Sequence, residues 1–363
     1  MRVLCINTNG LRNDGITNSI LDYFSHMNRD GISVDVLLTC DVDSEIKEKF
    51  EKKLLNLVFV EYRRNPFSYV RKTAKLIKEK KYDIVHVHGS SALLSLDLLA
   101  AKIGGCKVRI AHSRNTTCNH KVMDCLLRFP FYWLCNKRFA CGEAAGKWLF
   151  KNRDFTIIKN GKDLNKFHYN EYIRKRIREK YGWQNKVVIG HVGNFNCQKN
   201  HEFLINVFSE LSKKNDNYMF VLIGSGQRLI MVKELAVQLG IKDKVLFTGS
   251  INNVPDLLQG MDIMTLPSLF EGLPNVVLEW QALGLPAIIS DKVTHECEVT
   301  DLLTYLPIDQ GIDCWVENIL NIFPVDRQKA SEKARLALVA NGFDIEKDAE
   351  ELRNLYLKFM REA

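Results

Sequence analysis

The chain has 363 residues and a formal net charge of +8, from 51 Lys and Arg against 43 Asp and Glu. At roughly 100–200 residues per domain this length predicts two domains or three. A hydrophobic share of 46% with 26% charged residues excludes a disordered or fibrous chain. No apolar run approaches the roughly 18–20 residues of a membrane span; the longest, Leu126 to Cys135, is short and broken by Arg128 and Pro130.

Taken in chain order, short β-rich apolar runs alternate with amphipathic segments. The opening MRVLCINTNG enters directly into a strand pattern with no signal-peptide core, so a soluble cytoplasmic protein is expected. Strands are predicted at Arg2–Asn7, Val34–Thr39, Leu57–Glu61, Ile84–His88, Val108–Ala111 and Phe139–Cys141, and helices near 17–29, 66–80, 90–103 and 120–135. In the last of these, Val122, Leu126, Leu127, Tyr132 and Leu134 form an apolar stripe of helical spacing. The pattern then restarts, with strands at Lys186–Gly193, Met219–Gly224, Val245–Gly249, Ile263–Ser268 and Ala287–Asp291 and helices near 201–213, 227–239 and 274–283.

Such alternation implies parallel sheets covered by helices on both faces. Two consecutive series predict two Rossmann-like domains joined between Asn160 and about Tyr181. From Glu346 to Arg361, Ala349, Leu352, Leu355, Tyr356 and Phe359 share one face of an amphipathic helix that seeks a partner surface. Ligands of open α/β sheets bind beyond the carboxyl ends of the strands, and two such domains facing each other would enclose a cleft. Chemistry is therefore sought in the strand-end loops.

Ten cysteines are present without any CxxC, and Cys118, Cys125, Cys135 and Cys141 lack structural-zinc spacing. They read as reduced thiols, several of them buried. The positive excess is clustered. Tyr62 to Lys81 carries Arg63, Arg64, Arg71, Lys72, Lys75, Lys78, Lys80 and Lys81 against Glu79 alone, and a second basic stretch runs from Lys137 to Lys180. Such clusters suit phosphates, anionic lipid heads or nucleic acid, or form a solvated helix face. No nucleic-acid-binding module accompanies them, so nucleic acid is not an expected partner.

The richest stretch is Leu266 to Pro286, LPSLFEGLPNVVLEWQALGLP. A strand ends, a loop follows, and Pro274 takes the first position of a helix, where its missing N–H costs nothing. Glu271 lies just before that helix and Glu279 about two turns into it. The unpaired N–H groups of a helix start suit a phosphate, and a carboxylate further along can accept hydrogen bonds from paired sugar hydroxyls. The His-x-His at His86 and His88 is read as facing opposite sides of its strand, hence not as a metal site.

In this context the segment resembles the E-x7-E signature of retaining glycosyltransferases of family 4, which have the GT-B fold. Other stretches are similar to that family's motifs in the same order: DIVHVHG from Asp83, IAHSRN from Ile110, KNGKDLNKF from Lys159, GHVGNFNCQKNH from Gly190 and VLIGSG from Val221. The resemblance implies an α/β GT-B fold of two Rossmann-like domains facing a central cleft. It implies a 1–162 acceptor-binding domain, a 163–343 nucleotide-sugar-binding domain, and a 344–363 helix that returns to the first.

It also implies roles. Glu279 would bind the ribose hydroxyls of the donor and Glu271 the hydroxyls of its sugar, with Gly272 and Leu273 supporting sugar and phosphate. Lys199 would neutralise the diphosphate, and His112 would lie near the transferred sugar. Gly193, Asn194 and Gly15 would be donor-binding loop positions. The leaving group is a nucleoside diphosphate, whose developing charge a fixed lysine and a helix N-terminus can meet. No DxD-type site is read among the strand-end motifs that carry the resemblance, so metal is not required for this charge role, and no cofactor is expected.

The sequence departs from the family at two positions. Asn194 stands where arginine is usual, so phosphate binding would rest on Lys199 and the helix or on another base such as Arg228. Lys162 stands where a small apolar residue is usual. The expected activity is transfer of a sugar from a UDP-sugar to a lipid-linked or glycan acceptor in cell-surface polysaccharide synthesis, with peripheral contact to anionic membrane through the basic N-terminal half and Leu126 to Leu134. The alternative is an inert nucleotide-sugar-binding partner of another transferase.

Overall fold

A computed structural model describes every residue except 13, 40, 41, 43, 62–64 and 119; Arg63 and Arg64 of the basic cluster thus lie outside the described residues. The chain forms two compact units, Met1–Gly161 with Gly342–Ala363, and Lys162–Asn341.

The first unit is built from β1 (Arg2–Asn7), α1 (Gly15–His26), β2 (Ser33–Leu38), α2 (Ser44–Lys52), β3 (Asn56–Phe59), α3 (Pro66–Lys80), β4 (Ile84–Gly89), α4 (Ser95–Ile103), β5 (Val108–Ser113), α5 (Lys121–Leu134), β6 (Lys137–Ala140), α6 (Glu143–Phe150) and β7 (Thr156–Ile157). Its seven parallel strands run in the order β3-β2-β1-β4-β5-β6-β7. Side chains alternate across a strand, so β1 feeds two cores. Val3 and Cys5 pack with α1 residues Ile20, Tyr23 and Phe24, while Leu4 and Ile6 pack with Tyr69, Val70 and Leu98 of α3 and α4. Caps set the helix limits: Asp14 accepts from Thr17 N, and Asn65 with Pro66 starts α3, which ends on left-handed Lys81.

The second unit contains α7 (Glu171–Tyr181), β8 (Val187–Val192), α8 (His201–Lys214), β9 (Tyr218–Ile223), α9 (Leu229–Gln238), β10 (Val245–Gly249), α10 (Val254–Gln259), β11 (Ile263–Leu266), α11 (Asn275–Ala282), β12 (Ala287–Ser290), β13 (Leu303–Leu306), α12 (Gly311–Leu320) and α13 (Arg327–Ala340). Six parallel strands follow the order β10-β9-β8-β11-β12-β13. Arg327 is nine-tenths buried and donates to the carbonyls of Gln259, Met261 and Leu283, tying α13 to the ends of α10 and α11. Desolvation lowers its pKa to about 9.

The chain then returns to the first unit as α14 (Ile345–Glu362), whose Ile345, Ala349, Leu352, Tyr356 and Phe359 complete the core beside α1. Gly161 lies where a Cβ would meet the Ile345 backbone at 2.7 Å and Asp348 Oδ2 at 2.5 Å. Among the described residues no helix is long and apolar enough to cross a membrane, and the nine described cysteines are free thiols.

Three expectations need correction. The stripe proposed for α5 is its buried face only in part: Leu127, Tyr132 and Leu134 pack on the core, joined by Phe131, while Val122 and Leu126 are exposed. Pro130 falls inside that helix. Pro274 is the N-cap of α11 with extended ψ of 106°, one residue earlier than the expected first helical position. Finally, His86 and His88 share one face, with ring centroids 4.1 Å apart, because residues two apart on a strand point the same way.

Candidate active site

In the second unit, the carboxyl ends of β8, β9 and β11 are joined by backbone hydrogen bonds into one loop cluster. Gly193 N donates to Ile223 O at 3.0 Å, Phe195 N to Ser225 O at 2.9 Å, and Leu269 N to Gln198 O at 2.8 Å. This interlocking explains the glycines of both motifs. At Gly224 (φ 141°) a Cβ would lie 2.1 Å from Gly193 O, and at Gly226 (φ 152°) it would lie 2.5 Å from Phe195 O. Under the loop His191 donates from Nδ1 to Thr265 O at 2.8 Å, and His201 stacks on Phe195 with centroids 3.9 Å apart. Burial drives both imidazoles to low pKa, about 3 for His191 and about 2 for His201, so this floor is neutral.

On that floor Lys199 donates from Nζ to Glu271 Oε1 at 2.6 Å, both side chains largely buried. The lysine stem lies against Gly193, where a Cβ would come within 3.1 Å of its Cδ and Cε. Gly272, Leu273 and Pro274 follow as a buried passage into α11, whose start has no side-chain cap. In the second turn of α11 Glu279 accepts from Lys162 Nζ at 3.4 Å, and Lys162 is 3% exposed.

The structure thus brings Lys199, Glu271 and Gly193 together, with Gly272 and Leu273 leading to Glu279, while Asn194 is exposed on the loop rim. Arg228 is committed elsewhere: it pairs with Glu202 and donates from Nη1 to Cys197 Sγ at 2.7 Å. Lys162 is the site residue whose role the sequence left unread. Its position in the N-G-x-D motif was visible, but its pairing spans 117 residues.

Gly15 and His112 belong to the first unit. Gly15 opens α1 behind its Asp14 cap. His112 is 1% exposed at the end of β5, its ring 5.2 Å from His86 and 4.9 Å from His88. Burial and the nearby Arg114 hold all three imidazoles well below the usual histidine range.

The glycosyltransferase family 4 domain matches residues 13–166, and the domain described as glycosyl transferases group 1 matches residues 173–313. EpsF of Bacillus subtilis (strain 168), a protein named as a glycosyltransferase, is 30% identical over 365 residues, covering 96% of this chain and 94% of that one. The chain belongs to glycosyltransferase family 4.

The UDP-Gal:alpha-D-GlcNAc-diphosphoundecaprenol alpha-1,3-galactosyltransferase of Escherichia coli is 29% identical over 313 residues, covering 78% of this chain and 77% of that one. Among solved structures, Anabaena HepE in complex with UDP and glucose superposes with a TM-score of 0.78 at 17% identity, over 99% of this chain and all of that one. The fold of this family 4 glycosyltransferase is GT-B, two Rossmann-like parallel-sheet units.

Proposed function

We propose that this glycosyltransferase transfers a sugar, with retention of anomeric configuration and without a metal ion, from a UDP-sugar to a lipid-linked or glycan acceptor of cell-surface polysaccharide synthesis. The observation that carries this reading is the Lys199–Glu271 pair at 2.6 Å beside the uncapped start of α11, with Glu279 in the next turn. This array supplies a cation and the positive end of a helix for a diphosphate, and carboxylates for sugar and ribose hydroxyls. UDP is supported by the donor named for the E. coli relative and the nucleotide in the Anabaena structure. The diphosphoundecaprenol in the relative's name supports a lipid-linked acceptor.

Transfer breaks the bond between the anomeric carbon and the UDP oxygen, which keeps the electron pair. The acceptor oxygen bonds to the same face of that carbon, and its proton passes to the departing phosphate. Lys199 offsets the charge that develops there, and Glu271 orients both the lysine and the sugar. Replacing Glu279 by Ala is expected to lower UDP affinity, measured calorimetrically, by about tenfold or more. Unchanged affinity together with unchanged transfer would remove Glu279 from the site.

Membrane contact is assigned to the first unit. Val122, Met123, Leu126, Phe129 and Trp133 line the outer face of α5, and Phe129 is 86% exposed. Next to it, a groove of about 750 Å³ between α3 and α4 combines Phe67 and Ile103 with Arg71, Lys75 and Lys78. Apolar side chains ringed by cations suit an anionic lipid surface. The chain is expected to co-sediment with phosphatidylglycerol vesicles but not phosphatidylcholine vesicles, and Phe129→Ser with Trp133→Ser to abolish this while the melting temperature stays within about 2 °C.

A further inference from the structure

At the end of β5 the hydrogen bonds run in one direction. Arg114 Nη1 lies 3.3 Å from His112 Nε2, His112 Nδ1 lies 3.1 Å from His86 Nε2, and His86 Nδ1 lies 2.6 Å from Tyr356 Oη on α14. A guanidinium can only donate. His112 Nε2 must therefore accept, which puts the His112 proton on Nδ1 and gives it to His86 Nε2. His86 in turn carries its proton on Nδ1 and donates it to the tyrosine oxygen. Both nitrogens of His112 are used within the protein, and its ring is closed off by His86, His88 and Phe139. His112 has no polar atom left for a ligand.

Arg114 does. It follows β5 at the carboxyl edge of the sheet, anchored by its N–H to Gly89 O at 3.0 Å, and is 8% exposed. Its side-chain partner is a neutral imidazole, and no carboxylate pairs with it among the described residues. A guanidinium so nearly buried with only neutral company lacks charge compensation. The three clustered imidazoles could suggest a cation site instead. A metal on His112 Nδ1 would require a proton on Nε2, facing the Arg114 donor, and would place two positive charges side by side. The surroundings select an anion.

We propose that Arg114, rather than His112, is the ligand-binding residue at this strand end, and that it takes a phosphoryl oxyanion. His112, His86 and Tyr356 are positioning residues that hold the guanidinium from behind. The choice of phosphoryl over carboxylate rests on the proposed function, in which the donor and a lipid-linked acceptor both carry a diphosphate.

The test titrates the full chain with UDP, farnesyl diphosphate and inorganic pyrophosphate, as wild type, Arg114→Gln and Arg114→Lys. Arg114→Gln is expected to weaken at least one of these about tenfold or more, with partial recovery in Arg114→Lys. Loss confined to UDP assigns the donor's phosphate, and loss confined to farnesyl diphosphate the acceptor's. Dependence of pyrophosphate alone sustains the inference while counting against the UDP-sugar reading. Equal affinities in all three proteins, or no binding of any probe by the wild type, overturn it, whether or not the protein transfers sugar. A second measurement needs no variant: nitrogen-15 spectra of the histidines are expected to show the Nδ1–H form for both His86 and His112. An Nε2–H form of His112, or one retained zinc per chain after dialysis, overturns it equally.

Discussion

At the residue scale, Lys162 shows how a departure from the family pattern becomes intelligible. A small apolar residue at this buried position would leave Glu279 without the ammonium now 3.4 Å away. Removing one member of such a pair strands the other's charge, whereas removing both does not. Lys162→Met is therefore expected to destabilise the protein by about 2 kcal/mol, and Lys162→Met with Glu279→Gln to recover most of that loss. A double-mutant cycle by urea unfolding checks it; simple additivity would show that the pair does not interact. Lys162 was legible as an oddity in KNGKDLNKF, but its partner was not, because nothing local to either segment encodes a contact between them.

At the element scale, the site depends on loops that only glycine can close. Gly224 at φ 141° lies under the Gly193 carbonyl, where a Cβ would sit at 2.1 Å. Gly224→Ala must push the β8 and β9 loops apart, moving Lys199 from Glu271. The expected result is a cooperatively folded protein with UDP affinity reduced about tenfold or more. Calorimetry with a melting curve checks this, and undiminished affinity would mean that the loops bind independently. The E-G-x-P loop and both glycine motifs were readable because a strand end, a turn and a helix start leave local signatures. The inward face of α5 was read only in part, since its apolar residues occur on both sides of the helix. Burial of Phe131 rather than Leu126 is decided by what α4 and α6 present to it.

At the scale of the whole molecule, the buried ionisable groups set a pH optimum for stability. His86, His88, His112, His191 and His201 all have folded-state pKa values below the ordinary 6.5. As pH falls below 6.5 the unfolded chain gains protons that the folded one refuses, so each histidine lowers stability by about 1.4 kcal/mol per pH unit. Asp348 acts in the opposite sense. Burial, with Glu351 and Asp344 nearby, raises its pKa from 3.8 to about 8. The folded state therefore holds a proton that the unfolded state has lost, and stability declines as pH rises from 4 towards 8. Below 6.5 the five histidines outweigh Asp348 and Asp14, whose carboxyl burial also raises; above it the histidines no longer contribute and Asp348 sets the slope. The melting temperature is expected to peak near pH 6.5, and Asp348→Asn to flatten the alkaline side while leaving the acid side in place. Scanning calorimetry from pH 5 to 8 checks this, and a monotonic profile would refute it.

By itself the sequence determined the two series of strand and helix, the reuse of one βα pattern in each half, and the strand–loop–helix layout of Leu266 to Pro286. These are properties of hydrophobic period, turn residues and capping, which act over a few residues and are written where they operate. Tertiary structure alone decided which side chains meet. Strand pairing sets β4 beside β5 and the crossover from the second unit lays α14 on the same face, so His86, His88, His112, Arg114 and Tyr356 converge from three distant segments. Packing likewise carried Lys162 to Glu279. The +8 charge of the chain could be counted from its residues, but the buried cation that lacks a carboxylate emerged only once parallel strands were in register.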